Sequence, residues 1–304
     1  MKLPLDILPE VRRAFAANRP VVALESTLIT HGMPWPGNLE TARAASDAVR
    51  GVGGVPATVL VEGGFLRIGL PAERVESLAR DGVGVAKLSR ADLAAYLATG
   101  RTGATTVAAT MVAAHAAGIE VFATGGIGGV HAGAETSFDI SADLHELART
   151  PVAVVAAGAK AILDLPKTLE LLETLGVPVI GHGTDVFPAF WSRESGLRAP
   201  LRADSPAEIA AILRTHGAIG GGGLLVANPV PAEHEVPAAR LAPLIAQAQA
   251  EAVAEGVTGK AVTPWLLARL AALTEGRTLD ANRALIVDNA RLATRIAAEL
   301  CRPF

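Results

Sequence analysis

Residues 152–157 read Val-Ala-Val-Val-Ala-Ala, without one polar side chain, and Gly158, Ala159 and Lys160 follow. A strand with one face in water alternates apolar and polar residues, whereas an unbroken apolar run closed by glycine is a parallel strand buried on both faces. Covering both faces takes helices on both sides, so this run commits the chain to α/β layering. It also delivers Lys160 to the carboxyl edge of the sheet, where open α/β sheets bind ligands. Residues 161–164 are expected to begin a helix, whose dipole, together with burial, would favour the neutral amine and supply a nucleophile. The competing reading is a phosphate contact or surface charge near a helix start. Only five lysines (Lys2, Lys87, Lys160, Lys167, Lys260) stand among 27 basic residues. Arginine replaces lysine on a solvated face but cannot become a neutral amine, which singles out Lys160 for covalent chemistry, with Lys87 second.

Further apolar runs predict strands at 20–24, 56–61, 83–86, 119–123, 178–180 and 224–227, and Glu62 to Gly69 reads as a hairpin. The expected fold is therefore three-layer α/β/α with a central mixed, mostly parallel sheet, and residues 1–304 form a single α/β domain. Helices are expected at 9–18, 38–52, 70–80, 103–117, 167–175, 205–215, 238–255, 262–274 and 281–300, and Ser89 with Asp92 caps another. Glu25, directly after a buried run, faces the same edge as Lys160, unless it caps a helix start. Residues 28–36 read as a loop too polar and too rigid for the core. After the run at 119–123, Gly125, Gly126, Gly128 and Gly129 let backbone amides approach an anion. No Gly-Lys-Ser/Thr follows, so this is not a nucleotide-binding P-loop. Phe187, Phe190 and Trp191 form either a base-stacking surface or a loop anchored to the core.

Composition excludes several classes. A net charge of −3 lacks the basic face that nucleic acid requires. No apolar run approaches the roughly 20 residues that span a bilayer, and no signal-peptide core stands at the amino terminus, so a cytoplasmic setting without a membrane partner is expected. Cys301 is the single cysteine, which rules out an internal disulfide or a thiolate metal cluster.

Six blocks carry a wider likeness: A-L-E-S-T-L-I-T-H-G-M-P (23–34), P-A-T-V (56–59), A-T-G-G-I-G-G-V-H (123–131), S-F-D-I-S-A-D-L (137–144), G-H-G-T-D (181–185) and A-N-P-V-P (227–231). Together, and in this order along almost the whole chain, they resemble the pseudouridine-5'-phosphate glycosidase family, also called the indigoidine synthase A family. The resemblance implies reversible cleavage of the C–C glycosidic bond of pseudouridine 5'-phosphate, giving uracil and ribose 5-phosphate. Uracil leaving through carbon is a poor carbanion, so an electron sink is needed that two carboxylates do not supply. The resemblance makes Lys160 the Schiff-base lysine, Glu25 the general acid/base, and Asp139 the ligand of one divalent ion, manganese (Mn2+). Lys87, Val107 and the turn Ser141, Ala142, Asp143 match substrate contacts, although Asp143 also reads as a helix cap. His131 matches a mobile histidine near the sugar, and Asn289 or Asn282 a contact to the ribose phosphate. A homotrimer is implied in the same way. Two other readings stand beside it: a class I aldolase-like lyase on another sugar phosphate, which needs no uracil pocket, and a non-catalytic sugar-phosphate-binding protein.

Overall fold

Parallel strands cannot be joined by a tight turn, so each buried run hands over to a helix before the next strand begins. In the computed structural model, which describes residues 3–302, the chain opens with β1 (Leu5–Ile7), α1 (Pro9–Ala16), β2 (Val21–Leu24), the single turn α2 (Thr27–Thr30) and α3 (Gly37–Gly51). The hairpin β3 (Val55–Glu62) and β4 (Phe65–Ile68) leads to α4 (Ala72–Asp81), β5 (Ala86–Leu88), α5 (Arg90–Thr99), β6 (Gly103–Thr105) and α6 (Val107–Ala117). Next come β7 (Val121–Ala123), the single turn α7 (Ala134–Ser137), α8 (Ala142–Arg149), β8 (Ala153–Ala156) and α9 (Leu165–Thr174). The last part holds β9 (Val179–His182), β10 (Leu201–Ala203), α10 (Pro206–Ala218), β11 (Leu224–Ala227), α11 (Ala238–Ala254), α12 (Val262–Leu273) and α13 (Arg277–Leu300). Lys2 lies outside the described residues.

The strands form one 11-stranded sheet in the order β1-β4-β3-β2-β7-β8-β11-β9-β10, with β6 joining β3 to β5. Among the strand pairs of the described residues, β3 with β4 and β3 with β6 are antiparallel and the others run parallel. The expected mixed, mostly parallel sheet between helical layers is therefore observed. Every residue of β2, β8 and β11 is buried, as two-sided coverage demands. One cover is α13, which lies along β2, β7 and β8 with α3 and α10 beside it, while α6 and α8 pack together against β7, β2 and β11. On α13 the buried positions 278, 282, 285, 289, 292 and 296 repeat at three- and four-residue spacing, the stripe of a helix lying on a sheet. Three of them, Thr278, Asn282 and Asn289, are polar.

The differences from expectation lie in short elements. β1 and β10 are three-residue strands that their own pattern does not announce, because so short a strand takes its structure from its neighbours. Residues 103–105 pair with β3 instead of opening a helix, and the Thr105 hydroxyl donates to the Val59 carbonyl at 3.0 Å. The strand expected at 83–86 lies at Ala86–Leu88, which puts Lys87 inside it. Residues 28–36 are not all loop: α2 turns there, with Ile29 and Thr30 buried. Residues 161–164 make a turn; α9 starts at Leu165 with Asp164 as its cap, so the helix dipole expected at Lys160 begins five residues later and already holds a carboxylate.

Candidate active site

Three neighbouring parallel strands, β2, β7 and β8, end on the same edge, and the chemistry-bearing residues follow them directly. Glu25 follows β2, Thr124 and the glycines follow β7, and Lys160 follows β8. Gly158 turns the chain off β8 at φ +77°, where a side chain would also overlap the Pro188 carbonyl. The two loops are then laced together: Ile127 N–H donates to Gly158 O and Lys160 N–H to Ile127 O, both at 3.1 Å. The half-buried Lys160 side chain lies against the glycine loop, its Nζ donating to Gly126 O at 2.8 Å.

A cavity of about 360 Å³ opens at this edge, lined by Glu25, Lys87, Val107, His131, Asp139, Ser141, Ala142, Asp143 and Lys160. Nearly all residues singled out in the sequence thus meet at one wall. Asn289 does not; it is fully buried behind the wall, and Asn282 lines the cavity instead. Seven residues on one face of a helix separate the two asparagines, so sequence register alone does not tell them apart.

Glu25 is buried and accepts hydrogen bonds from the hydroxyls of Thr27 and Thr124. Burial pushes its carboxyl above the ordinary range, an effect opposed by the Lys160 charge and the two hydroxyls and reinforced by Asp143. Asp143 is held by backbone: its oxygens accept from Ala108 N–H at 2.9 Å and Gly128 N–H at 2.8 Å. The anion that the glycine loop admits is therefore the chain's own carboxylate, and a methyl on Gly128 would overlap Ser141 and crowd Asp143. Ser141, not Asp143, caps α8, accepting from Asp143 N–H at 3.2 Å. Burial disfavours the charged form of His131; Asp139 counters this, while Lys160 and Lys87 add to it. His31, also on the wall, is held neutral by burial and by Lys87.

The apolar side of the cavity contains Leu28, Met33, Leu267, Ile286 and Phe190. Of the aromatic cluster, Phe187 and Trp191 anchor the loop in the core, whereas Phe190, in the left-handed conformation at φ +62°, reaches the cavity. Trp191 Nε1 donates to Asn282 Oδ1 at 2.7 Å. An indole N–H only donates, which fixes the Asn282 amide and leaves its NH2 for other partners. Thr106 Oγ1 on the wall is buried and has no hydrogen-bond partner among the described residues.

Among the described residues no cluster of three or more His, Cys, Asp or Glu side chains is present. A closed, zinc-type site is thus not supplied. Asp139, exposed at the cavity with His131 nearby, fits a hard divalent ion that keeps most of its waters. Sequence reasoning missed Thr27, Thr124, Thr106 and His31. Only the adjacency of Thr27 to Glu25 was visible in the chain, since the other contacts join distant segments.

The family described as indigoidine synthase A like protein matches residues 10–299. The pseudouridine-5'-phosphate glycosidase of Paracoccus denitrificans is 66% identical over 97% of this chain and 98% of its own, and that of Jannaschia sp. is 65% identical over 99% of both. Among solved structures, the prealnumycin C-glycosynthase AlnA in complex with ribulose 5-phosphate superposes with a TM-score of 0.90 at 41% identity, covering 99% of this chain and 98% of that one. An indigoidine synthase A-like protein from Thermotoga maritima gives 0.89 at 36% identity, covering 99% and 97%. With the residues of the sheet's carboxyl edge gathered on one cavity and the match running almost end to end, the chain belongs to the indigoidine synthase A-like family.

Proposed function

We propose that the protein is an enzyme that reversibly cleaves the C–C glycosidic bond of pseudouridine 5'-phosphate, giving uracil and D-ribose 5-phosphate, through a Schiff base on Lys160. One observation carries the reading: the Lys160 amine and Glu25, a carboxyl whose proton affinity burial raises, line the same cavity. The names of relatives at 65–66% identity support the substrate.

The Lys160 nitrogen bonds to C1' as the C1'–O4' bond breaks and the ribose opens; the electron pair leaves on O4', which takes the proton that the attacking amine gives up. Glu25 then gives its proton to uracil C5. The electron pair of the C1'–C5 bond goes to that carbon, and the nitrogen lone pair closes the C=N bond. Water adds to the imine, releasing ribose 5-phosphate and returning the amine; Glu25, now ionised, takes up a proton from that water. Lys87, a cation on the cavity wall, suits the phosphate, with Val107 beside it on the same wall. The Thr106 hydroxyl is a ready partner for substrate, and His131 and the turn 141–143 border the sugar. Asp139 would hold a divalent ion, manganese, which supplies charge stabilisation for anionic substrate when bound. Homotrimer formation rests on the family resemblance, and a cytoplasmic setting on the composition of the sequence.

Borohydride added with ribose 5-phosphate is expected to trap an adduct on Lys160, located by peptide mass. Lys160→Ala should abolish both trapping and uracil release; an alanine variant that still releases uracil would end the lysine assignment. Uracil consumption with ribose 5-phosphate separates this activity from an aldolase-like lyase, which has no use for the base.

A further inference from the structure

Sequence blocks 181–185 and 227–231, like 56–59, take no part in the cavity wall. Their side chains His182 and Asn228 stand at the far end of a hydrogen-bond chain that finishes on Glu25. The Thr124 hydroxyl donates to Glu25 Oε1. The Thr124 carbonyl accepts from Asn289 Nδ2 at 2.7 Å, and Asn289 Oδ1 accepts from Asn228 Nδ2 at 3.0 Å. The same Asn228 NH2 donates to Asp288 Oδ2 at 2.9 Å, and Asn228 Oδ1 faces His182 Nδ1 at 3.1 Å.

Chemistry forces every orientation in this chain. A peptide carbonyl and a carboxylate only accept, so the amides must turn nitrogen toward Thr124 and Asp288, and His182 must carry its proton on Nδ1. Thr124, Asn228 and Asn289 are 1%, 5% and 0% exposed, so water does not replace a lost partner at low cost. Thr124 is gripped on both sides of its backbone, its N–H by Val155 O at 3.0 Å and its carbonyl by Asn289. Its hydroxyl is thereby aimed at Glu25.

We infer that Asn289, braced by Asn228, is a positioning residue that acts on Glu25 through Thr124. The inference rests on reading Glu25 as the acid/base. The charged groups facing Glu25 are Lys160, beyond β8, and Asp143, on α8. Neither is hydrogen-bonded to the amide chain: Lys160 Nζ meets Gly126 O, and Asp143 meets Ala108 and Gly128. A hydroxyl donated to a carboxylate favours the ionised form, so slackening Thr124 makes Glu25 hold its proton to higher pH.

The test is a 13C NMR titration of the Glu25 carboxyl in the full-length protein, assigned by the signal absent from Glu25→Gln, with kcat and KM measured alongside. Thr124→Val is expected to move the midpoint up, and Thr124→Ser to leave it near wild type. Asn289→Ala should move it in the same direction as Thr124→Val, and should add nothing in the double variant. Turnover should fall by about 10- to 100-fold in kcat with KM little changed. Asn228→Ala, one link further out, gives a smaller shift in the same direction and decides the matter if Asn289→Ala does not fold. Midpoints that stay at the wild-type value in the amide variants, or shifts that add in the double variant, overturn the inference. The titration needs no substrate, so a wild-type protein that releases no uracil would overturn the proposed activity and leave this result readable.

Discussion

At the scale of single residues, the site is governed by one buried carboxyl and one half-buried amine. A carboxyl whose native proton affinity is raised stabilises the fold fully below its ordinary value of 4.5. That contribution is lost as pH climbs from there through the raised native value, because the unfolded chain gives up its proton first. Urea midpoints measured from about pH 4 to about pH 8 should therefore fall with rising pH in wild type relative to Glu25→Gln. Parallel curves for the two proteins would mean that Glu25 ionises as readily folded as unfolded. In turnover, Glu25→Gln should cost about 10²- to 10⁴-fold in kcat, the usual worth of a positioned acid. Asp139→Ala is expected to lose activity that added manganese does not restore, with an unchanged circular dichroism spectrum; recovery at high metal would place the ion on other groups. Glu25 and Lys160 were legible from where they stand after apolar runs. Thr124, which also dresses Glu25, was not, since it is 99 residues away in the chain.

At the scale of elements, the joints matter more than the strands. Gly158 ends β8 in a backbone conformation that costs any other residue strain, under a carbonyl that leaves no space for a methyl. Gly158→Ala should lower stability by about 2–4 kcal/mol, read as a shift in the urea midpoint, and should weaken Lys160 trapping as well. A variant with a wild-type midpoint would show that the turn has another way round. Glu146 on α8 is buried at 1% side-chain exposure, accepting from Arg90 on α5 at 2.6 and 2.7 Å and from Thr150. Arg90→Ala leaves that carboxylate short of its charge partner and is expected to cost about 1–3 kcal/mol by the same assay. Long helices such as α3 and α11 were readable because their apolar periodicity is long enough to declare itself, and β11 because its run is unbroken. The three-residue strands β1, β6 and β10 carry no such pattern, and residues 103–105 became strand only because β3 offered an edge.

At the scale of the molecule, one continuous sheet joins the first strand to the last, which argues for unfolding as a unit. We expect one calorimetric transition; two separable transitions would contradict a single domain. Sedimentation equilibrium is expected to return three times the 31.1 kDa chain mass, and a monomer mass would dispose of the trimer carried over from the family. What the sequence determined by itself is the layering and the sheet edge to which Glu25 and Lys160 are delivered. Buried apolar runs admit one solution, and an amine or carboxylate just past such a run has one place to go. What only the tertiary structure decided is which polar groups meet across that edge. Asn289 stands behind the wall and Asn282 on it, and Asp143 caps α6 from another helix. Such pairings join residues tens to more than a hundred positions apart, and are set by how the layers pack rather than by any local pattern.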